Sequence, residues 1–156
     1  MKQIHDVLII GAGVTGTMIA RELSKYKLDT VIIDKSNDAG NLTSSANSAI
    51  IHSGYDPEPG TNKAKFNVLG NKMYPELVKD LDVPYVACGS LTVALEEEQL
   101  EILKQLEERS RINGVPVELL NKEEVLKMEP NINPEVKVAL YAPTAGVIDP
   151  FNLVLY

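Results

Sequence analysis

The sequence of 156 residues has no tryptophan, two histidines and a single cysteine, Cys88. One cysteine cannot form a disulfide within the chain and supplies no zinc-binding pattern, and we expect Cys88 to be a small buried residue without a reactive role. Basic residues are also scarce, with 15 Lys and Arg against 22 Asp and Glu and a formal net charge of −7. Proteins that bind nucleic acid usually have clustered Lys and Arg, so we expect no nucleic-acid partner.

Long apolar runs are absent as well. The apolar run nearest the amino terminus, Val7–Ile10, is too short for the core of a signal peptide or for a membrane span. We therefore expect no transmembrane segment and a cytoplasmic protein, and peripheral association with a membrane stays open. Hydrophobic residues make up 44% and charged residues 24%, which is typical of a globular domain.

A glycine-rich turn is the first positive feature. In "DVLIIGAGVTG", the run Val7–Ile10 predicts a central parallel strand covered on both faces. Gly11, Gly13 and Gly16 then match G-x-G-x-x-G. In this pattern the first glycine makes the turn, the second lets a pyrophosphate approach the backbone, and the third lets the helix, about residues 14–26, pack on the strand. Helix amino termini bind phosphate through their N–H groups.

A second predicted strand, "TVIID", ends at Asp34, 18 residues after Gly16. A carboxylate there can accept hydrogen bonds from the ribose hydroxyls of an adenosine, and it would repel a 2′-phosphate, so NADP is disfavoured. We include the adjacent Lys35 among the cofactor-binding candidates. The pattern favours an adenine dinucleotide over a turn without a ligand, and it leaves NAD and FAD open.

The stretch that follows is long, small and polar. It includes "TSSANSAIIHSG", whose hydroxyl and amide groups suit a second phosphate, although a flexible surface loop explains the composition almost equally well. The stretch leads to His52, a residue type that commonly serves as a base; a histidine that only packs is the alternative. His5 is expected at the surface. Lys63 and Lys65 suit an anionic substrate or a solvated helix start, and we assign neither.

The runs "NSAIIHSGY" and "PGTNKAK" resemble the FAD-dependent amino-acid-oxidase-like (DAO) superfamily. The closest resemblance is to its branch of glycerol-3-phosphate dehydrogenases and oxidases and of L-2-hydroxyglutarate oxidases, and it extends from "GAGVTG" to "AGVIDPFNL". It implies FAD as cofactor and places His52 beside the isoalloxazine as catalytic base. Two positions depart from the family's glycines, Leu42 and Ala49. The residues that the resemblance places along the flavin diphosphate and ribityl chain are Thr43, Ser44, Asn47 and Ser48.

The resemblance implies oxidation of the secondary alcohol of glycerol-3-phosphate, with hydride transfer to flavin N5. The expected partners are a small anionic substrate and an electron acceptor, which is oxygen, a quinone or a partner subunit. L-2-hydroxyglutarate oxidase is the second enzymatic interpretation, and "GYDPEPG" looks more like the glycerol-3-phosphate side. A non-catalytic remnant that self-associates is the alternative from another class.

The predicted fold is α/β, namely the N-terminal part of a Rossmann-like FAD-binding domain with the beginning of an inserted α+β substrate domain. We expect residues 1–82 and 146–156 in the former and 83–145 in the latter. Two parallel strands alone would leave apolar faces exposed. We therefore expect an N-terminal portion of a longer enzyme that binds FAD weakly or not at all, has no turnover by itself, and self-associates.

Overall fold

The computed structural model describes residues 4–155, so the outer limits of the predicted domains, residues 1 and 156, lie outside the described residues. The chain forms two compact units. The first is built from the residues up to Ala49, from Val78–Pro84 and from the residues after Val147, and the second from Ile50–Leu77 and Tyr85–Val147. The units are defined by packing, so the assignment of cofactor and substrate roles to residue ranges stays a prediction.

The secondary structure is mixed α/β, as predicted. In chain order the elements are β1 (Val7–Ile10), α1 (Val14–Leu23), β2 (Thr30–Ile33), β3 (Ile50–Ile51), α2 (Asn62–Asp80), β4 (Tyr85–Val86), β5 (Ser90–Ala94), α3 (Glu97–Asn113), β6 (Glu118–Asn121), α4 (Lys122–Met128), β7 (Val138–Ala142), β8 (Gly146–Ile148) and α5 (Pro150–Leu155).

In the first unit, β1, α1 and β2 form a parallel β-α-β motif in which Leu8 pairs with Val31 and Ile10 with Ile33. Helix α1 packs on the face of β1 that carries Ile9, which is 8% exposed. Leu8 and Ile10, on the opposite face, are 55% and 80% exposed. The prediction that β1 is covered on both faces is therefore wrong for the described residues, because β1 pairs there with β2 alone and α1 covers one face. The exposed apolar face expected of two parallel strands is confirmed.

The second unit contains an antiparallel sheet in the order β5-β7-β6. Neighbouring residues of a strand point to opposite faces of the sheet. In β7, Ala139 packs with Val125 of α4, and Leu140 packs with Leu103 of α3, so both faces are covered. The resemblance stated above also implies that the strands near residues 90–95 and 136–142 belong to an antiparallel sheet, and the observed pairing of β5 with β7 confirms this. A second, three-stranded sheet has the order β3-β8-β4.

Several helix ends are set by local signals that the sequence shows. Gly114 ends α3 in the left-handed conformation, with φ of 70°. Asn121 caps α4, and the Glu124 carboxylate completes the capping box by accepting a hydrogen bond from the Asn121 N–H. Asp149 accepts hydrogen bonds from the N–H groups of Phe151 and Asn152 at the start of α5. These residue types at these positions predict the stop at Gly114, the capping box and the cap at Asp149 from the sequence alone, and the structure confirms them.

Two further expectations are corrected. The sequence predicts that Pro75 either kinks a helix or splits it into two; helix α2 continues through Pro75, so the split is wrong. Cys88 is exposed rather than buried. It lies in the turn between β4 and β5, where its N–H donates to Val86 O at 3.0 Å, and a turn of this kind keeps its side chains outside the core. Within residues 4–155, no helix combines the length and the apolar character that a membrane crossing requires.

Candidate functional site

The glycine turn between β1 and α1 has the geometry that its sequence predicts. Gly11 has φ of +113°, a conformation that favours glycine, and its N–H donates to Ile33 O at 2.7 Å. A Cβ on Gly16 would lie 1.9 Å from Gly11 O and 3.3 Å from Ile9 Cγ2. The turn and the close packing of helix on strand therefore both require glycine, and the mechanical roles of these two residues are confirmed.

One hydroxyl group joins the amino terminus of α1 to the polar loop, which we define as residues 35–49. The N-cap, Gly13, has no side chain to cap the helix. Ser44 Oγ takes this place and accepts a hydrogen bond from Val14 N–H at 2.9 Å. A Cβ on Gly13 would approach Ser44 Oγ to 3.1 Å. The structure thus brings together two of the predicted cofactor residues, one from the glycine turn and one from the loop.

Asp34 lies at the end of β2 and is bound to the same turn. One carboxylate oxygen accepts from Ala12 N–H at 2.8 Å and the other from Ser36 N–H at 2.8 Å. The Ala12 hydrogen bond, followed by that of Ser36 and by the charge of Lys35, lowers the pKa of Asp34 below its ordinary value. An ionised carboxylate has about four acceptor sites, so about two remain for the hydroxyls of a ribose.

The polar loop is ordered by its own hydrogen bonds. Gly40 N–H donates to Ala12 O at 2.9 Å, which ties the loop to the glycine turn. Asn47 donates to Ser44 O and Thr43 O and accepts from Ala49 N–H. Its amide therefore holds the loop, a structural role beside the cofactor role predicted for it. Thr43 and Ser48 are exposed.

The two departures from the family's glycines differ in their structural effect. Ala49 adopts φ of 59°, so the backbone keeps a conformation that glycine favours despite the methyl group. The left-handed conformation costs roughly 1–2 kcal/mol for a residue with a side chain. Leu42 is 56% exposed. The loop thus keeps the left-handed backbone at Ala49 at an energetic cost.

His52 belongs to the second unit, in which it follows the buried Ile51 of β3 and is itself exposed. It lines a cavity of about 220 Å³ together with Gly54, Tyr55, Asp56, Pro57, Lys63 and Asn67. Lys65 lines a different cavity. Of the two lysines left unassigned, Lys63 is therefore the one that shares a cavity with the histidine.

Sequence reasoning missed the residues that hold the segment around His52. Asn71 Nδ2 donates to His52 O at 3.2 Å and to Thr144 O at 2.8 Å. Asn113 Nδ2 donates to Gly54 O at 3.1 Å and to Pro57 O at 2.8 Å. No local pattern marks these asparagines, because their partners are distant in the chain. In the described part of the chain, no group of three or more His, Cys, Asp or Glu side chains could hold a metal ion.

The chain is similar to known proteins in both sequence and structure. The family model described as "FAD dependent oxidoreductase" (DAO) matches residues 6–156. Glycerol 3-phosphate dehydrogenase of Caloramator mitchellensis is 52% identical over 153 residues, which are 97% of this chain and 32% of the relative. Mitochondrial L-2-hydroxyglutarate dehydrogenase of Dictyostelium discoideum is 40% identical over 152 residues, 95% of this chain and 34% of the relative. This chain therefore spans about a third of the length of these relatives.

Among solved structures, dithionite-reduced L-α-glycerophosphate oxidase of Mycoplasma pneumoniae with FAD bound is similar to this chain. Its TM-score is 0.91 at 37% identity, and the match covers 99% of this chain and 41% of that protein. The likeness extends over both compact units, because almost the whole chain is matched.

Proposed function

The chain belongs to the DAO family of FAD-dependent oxidoreductases, and on that premise we propose that the whole protein oxidises the secondary alcohol of glycerol 3-phosphate. The relatives at 52% and 42% identity are a glycerol 3-phosphate dehydrogenase and a glycerol 3-phosphate oxidase. FAD, when bound, supplies the acceptor for the hydride at its N5 atom. Oxygen, a quinone or a partner subunit then takes the electrons.

The observation that carries the cofactor proposal is the geometry around the glycine turn. Gly11 and Gly16 hold the turn, and Gly13 places no side chain at the amino terminus of α1. Asp34 keeps about two acceptor sites for ribose hydroxyls. These features fit an adenine dinucleotide. We propose that the diphosphate binds at Gly13, with Ser44 and Thr43 beside it, that Lys35 adds a positive charge near Asp34, and that Asn47 and Ser48 line the ribityl chain.

The second unit would supply the acid–base chemistry. We propose that His52 takes the proton of the substrate hydroxyl, because an imidazole nitrogen can accept a proton and this exposed residue lines a cavity. Lys63 lines the same cavity and carries a positive charge suited to a phosphate or carboxylate. Asp56 lines the same cavity, but its carboxylate would repel an anion. Lys63 is therefore the residue of this cavity that would attract the substrate's anionic group.

L-2-hydroxyglutarate is the alternative substrate, favoured by the Dictyostelium relative at 40% identity. It is also a secondary alcohol with anionic groups, so the same histidine and lysine would serve. The higher identity to the glycerol 3-phosphate enzymes makes glycerol 3-phosphate the first choice.

The test uses the purified whole protein, with any residues that precede or follow this chain in the gene product. We expect a yellow protein, or one that takes up FAD, whose flavin absorbance is bleached anaerobically by glycerol 3-phosphate and more slowly by L-2-hydroxyglutarate. Faster bleaching by L-2-hydroxyglutarate would select the alternative substrate. A colourless protein that takes up no FAD would favour the non-catalytic, self-associating remnant. A His52→Ala variant with its flavin and its full rate would remove the histidine from the mechanism.

The role of Lys63 is tested against Lys65, its neighbour on the first turns of α2. Lys63→Gln removes the charge from the cavity of His52, so we expect the KM for glycerol 3-phosphate to rise about tenfold, the scale of one charged hydrogen bond. Lys65→Gln removes a charge from the same helix but from another cavity, and its KM should stay close to that of the unmodified protein. Equal KM values for the two variants would contradict the assignment.

A further inference from the structure

We propose that Asn113 and Arg109, both on α3, are positioning residues that hold the His52-bearing segment, residues 52–58, in its working geometry. The proposal rests on the proposed function, in which the His52 imidazole takes a proton from the substrate. A histidine carried by a loop can do this only if the backbone of the loop is fixed to within a fraction of an ångström. The strand before it, β3, is only two residues long, so other elements must supply the anchors.

Asn113, the last residue of α3, binds the segment at two points. Its Nδ2 donates to Gly54 O at 3.1 Å and to Pro57 O at 2.8 Å. Both hydrogen atoms of the amide nitrogen are thus used on one segment. Gly54 and Pro57 are buried, and buried carbonyl groups need hydrogen-bond partners. Without Asn113 these two carbonyls would lose their partner, and the segment would gain freedom to move.

Arg109 lies one turn earlier on α3 and binds Asp56 and Glu58 of the same segment. Its Nη1 donates to Asp56 O at 3.1 Å, and its Nη2 lies 3.1 Å from the Glu58 carboxylate. The hydroxyl of Tyr55 lies 2.6 Å from Thr92 Oγ1 on β5. Each residue from Gly54 to Pro57 is therefore tied to α3 or to β5.

These ties reach His52 through a short and tightly packed connection. Ser53, the single residue between His52 and Gly54, is 2% exposed. Gly54 has φ of +99°, and a Cβ there would lie 2.8 Å from Val68 Cγ2, so the position requires glycine and the segment packs closely on α2. Asn71 binds the carbonyl of His52 itself. The backbone of the histidine is thus held on both sides, and the residue lines a cavity whose wall includes residues 54–57 of the same segment.

The test compares three variants of α3 in the 156-residue protein by amide hydrogen exchange. Asn113→Leu removes both donors at similar volume, and Arg109→Gln removes the guanidinium. Arg111→Gln is the matched control, because this exposed arginine pairs with Glu108 of its own helix. We expect exchange in residues 52–58 to rise about tenfold in the first two variants, with unchanged exchange in β5, β6 and β7. If Asn113→Leu fails to fold, the exchange of Arg109→Gln tests the proposal by itself. This variant should fold, because the Glu58 carboxylate that loses its partner is exposed to solvent.

A second readout separates positioning from general stability. In the FAD-loaded whole protein, Asn113→Leu and Arg109→Gln should lower the rate of flavin reduction about tenfold or more, with unchanged affinity for FAD, and Arg111→Gln should not. Unchanged exchange in residues 52–58, a uniform rise over the whole second unit, or a loosened segment with an undiminished rate would each overturn the proposal. If the unmodified protein reduces no flavin with either substrate, the proposed function fails, and the exchange result still decides whether α3 holds the segment.

Discussion

The β1-β2 sheet and the β5-β7-β6 sheet differ in how their faces are covered. In the β5-β7-β6 sheet, Leu140 is fully buried beneath α3 and Val125 of α4 covers the other face. In the β1-β2 sheet, Leu8 and Ile10 face solvent in the described residues. The second unit is thus stabilised by an apolar core, whereas the loop end of the first is held by hydrogen bonds to backbone groups around Ala12. Apolar packing stabilises the second unit, and hydrogen bonds to the backbone hold the candidate cofactor site in the first unit.

Backbone conformation shows the same contrast. Among residues 4–155, the non-glycine residues with positive φ are Ala49 and Asp82, and both belong to the first unit. The second unit uses glycine at its left-handed positions, including Gly54 and Gly114. Strained backbone is often retained where a ligand binds, which agrees with the proposed cofactor site in the first unit.

The largest effect is expected from truncating side chains in the two sheets. Leu140→Ala leaves a cavity in the covered sheet and should lower the free energy of unfolding by about 2–5 kcal/mol. Leu8→Ala removes an exposed side chain from the open sheet and should change it by less than about 0.5 kcal/mol. Urea denaturation followed by circular dichroism measures both. Similar losses in the two variants would show that the β1-β2 face is covered in solution.

The next largest effect compares two glycines, one packed against its neighbours and one with open space around it. Gly16→Ala forces a methyl group against Gly11 O, so we expect about 1–3 kcal/mol of destabilisation and loss of FAD binding. Gly70→Ala, in α2, has no atom within 4 Å of the new methyl group, and alanine should stabilise that helix by about 1 kcal/mol. FAD titration of the whole protein and thermal unfolding test the pair. A Gly16→Ala protein that binds FAD normally would contradict the close packing of α1 on the turn.

A smaller effect is expected from acid. Because hydrogen bonds from Ala12 and Ser36 lower the pKa of Asp34, its contribution to stability is fully present above the ordinary aspartate pKa of about 3.9 and is lost as pH falls through the lower, folded value. The amide resonances of Ala12 and Ser36 should shift together below that pH in NMR titration, while those of β7 keep their positions. Asp34→Asn should abolish the shared titration; a shift that persists in this variant would assign it to another group.

The smallest effect is expected at the strained residue of the polar loop. Ala49→Gly relieves roughly 1–2 kcal/mol of left-handed strain and adds about 0.4–1 kcal/mol of unfolded-state entropy, so the protein should become more stable by about 0.5 kcal/mol. Asp82→Gly is the control, because aspartate tolerates this conformation better than alanine, and its gain should be smaller. Chemical denaturation compares the two variants, and destabilisation by Ala49→Gly would show that the methyl group makes a compensating contact.

Features of the fold with short-range causes were predictable. The capping box of Asn121 and Glu124, the left-handed Gly114 and the cap at Asp149 depend on residues a few positions apart. The exposure of Cys88 and the passage of α2 through Pro75 were not, because they depend on what packs nearby. At the candidate site, the turn glycines and Asp34 were visible in the sequence, whereas the contact of Ser44 with Val14 and those of Asn113 with the His52-bearing segment required coordinates.

By itself, the sequence determined the strand–glycine–helix turn, the caps of several helices, and the family to which the chain belongs. These follow from the backbone preferences of single residues and from short motifs, which act over a few positions of the chain. Tertiary structure decided which sheet faces are covered, which lysine shares the cavity of His52, and which residues of α3 hold that histidine's segment. Such contacts join residues far apart in the chain, so they depend on how whole elements pack.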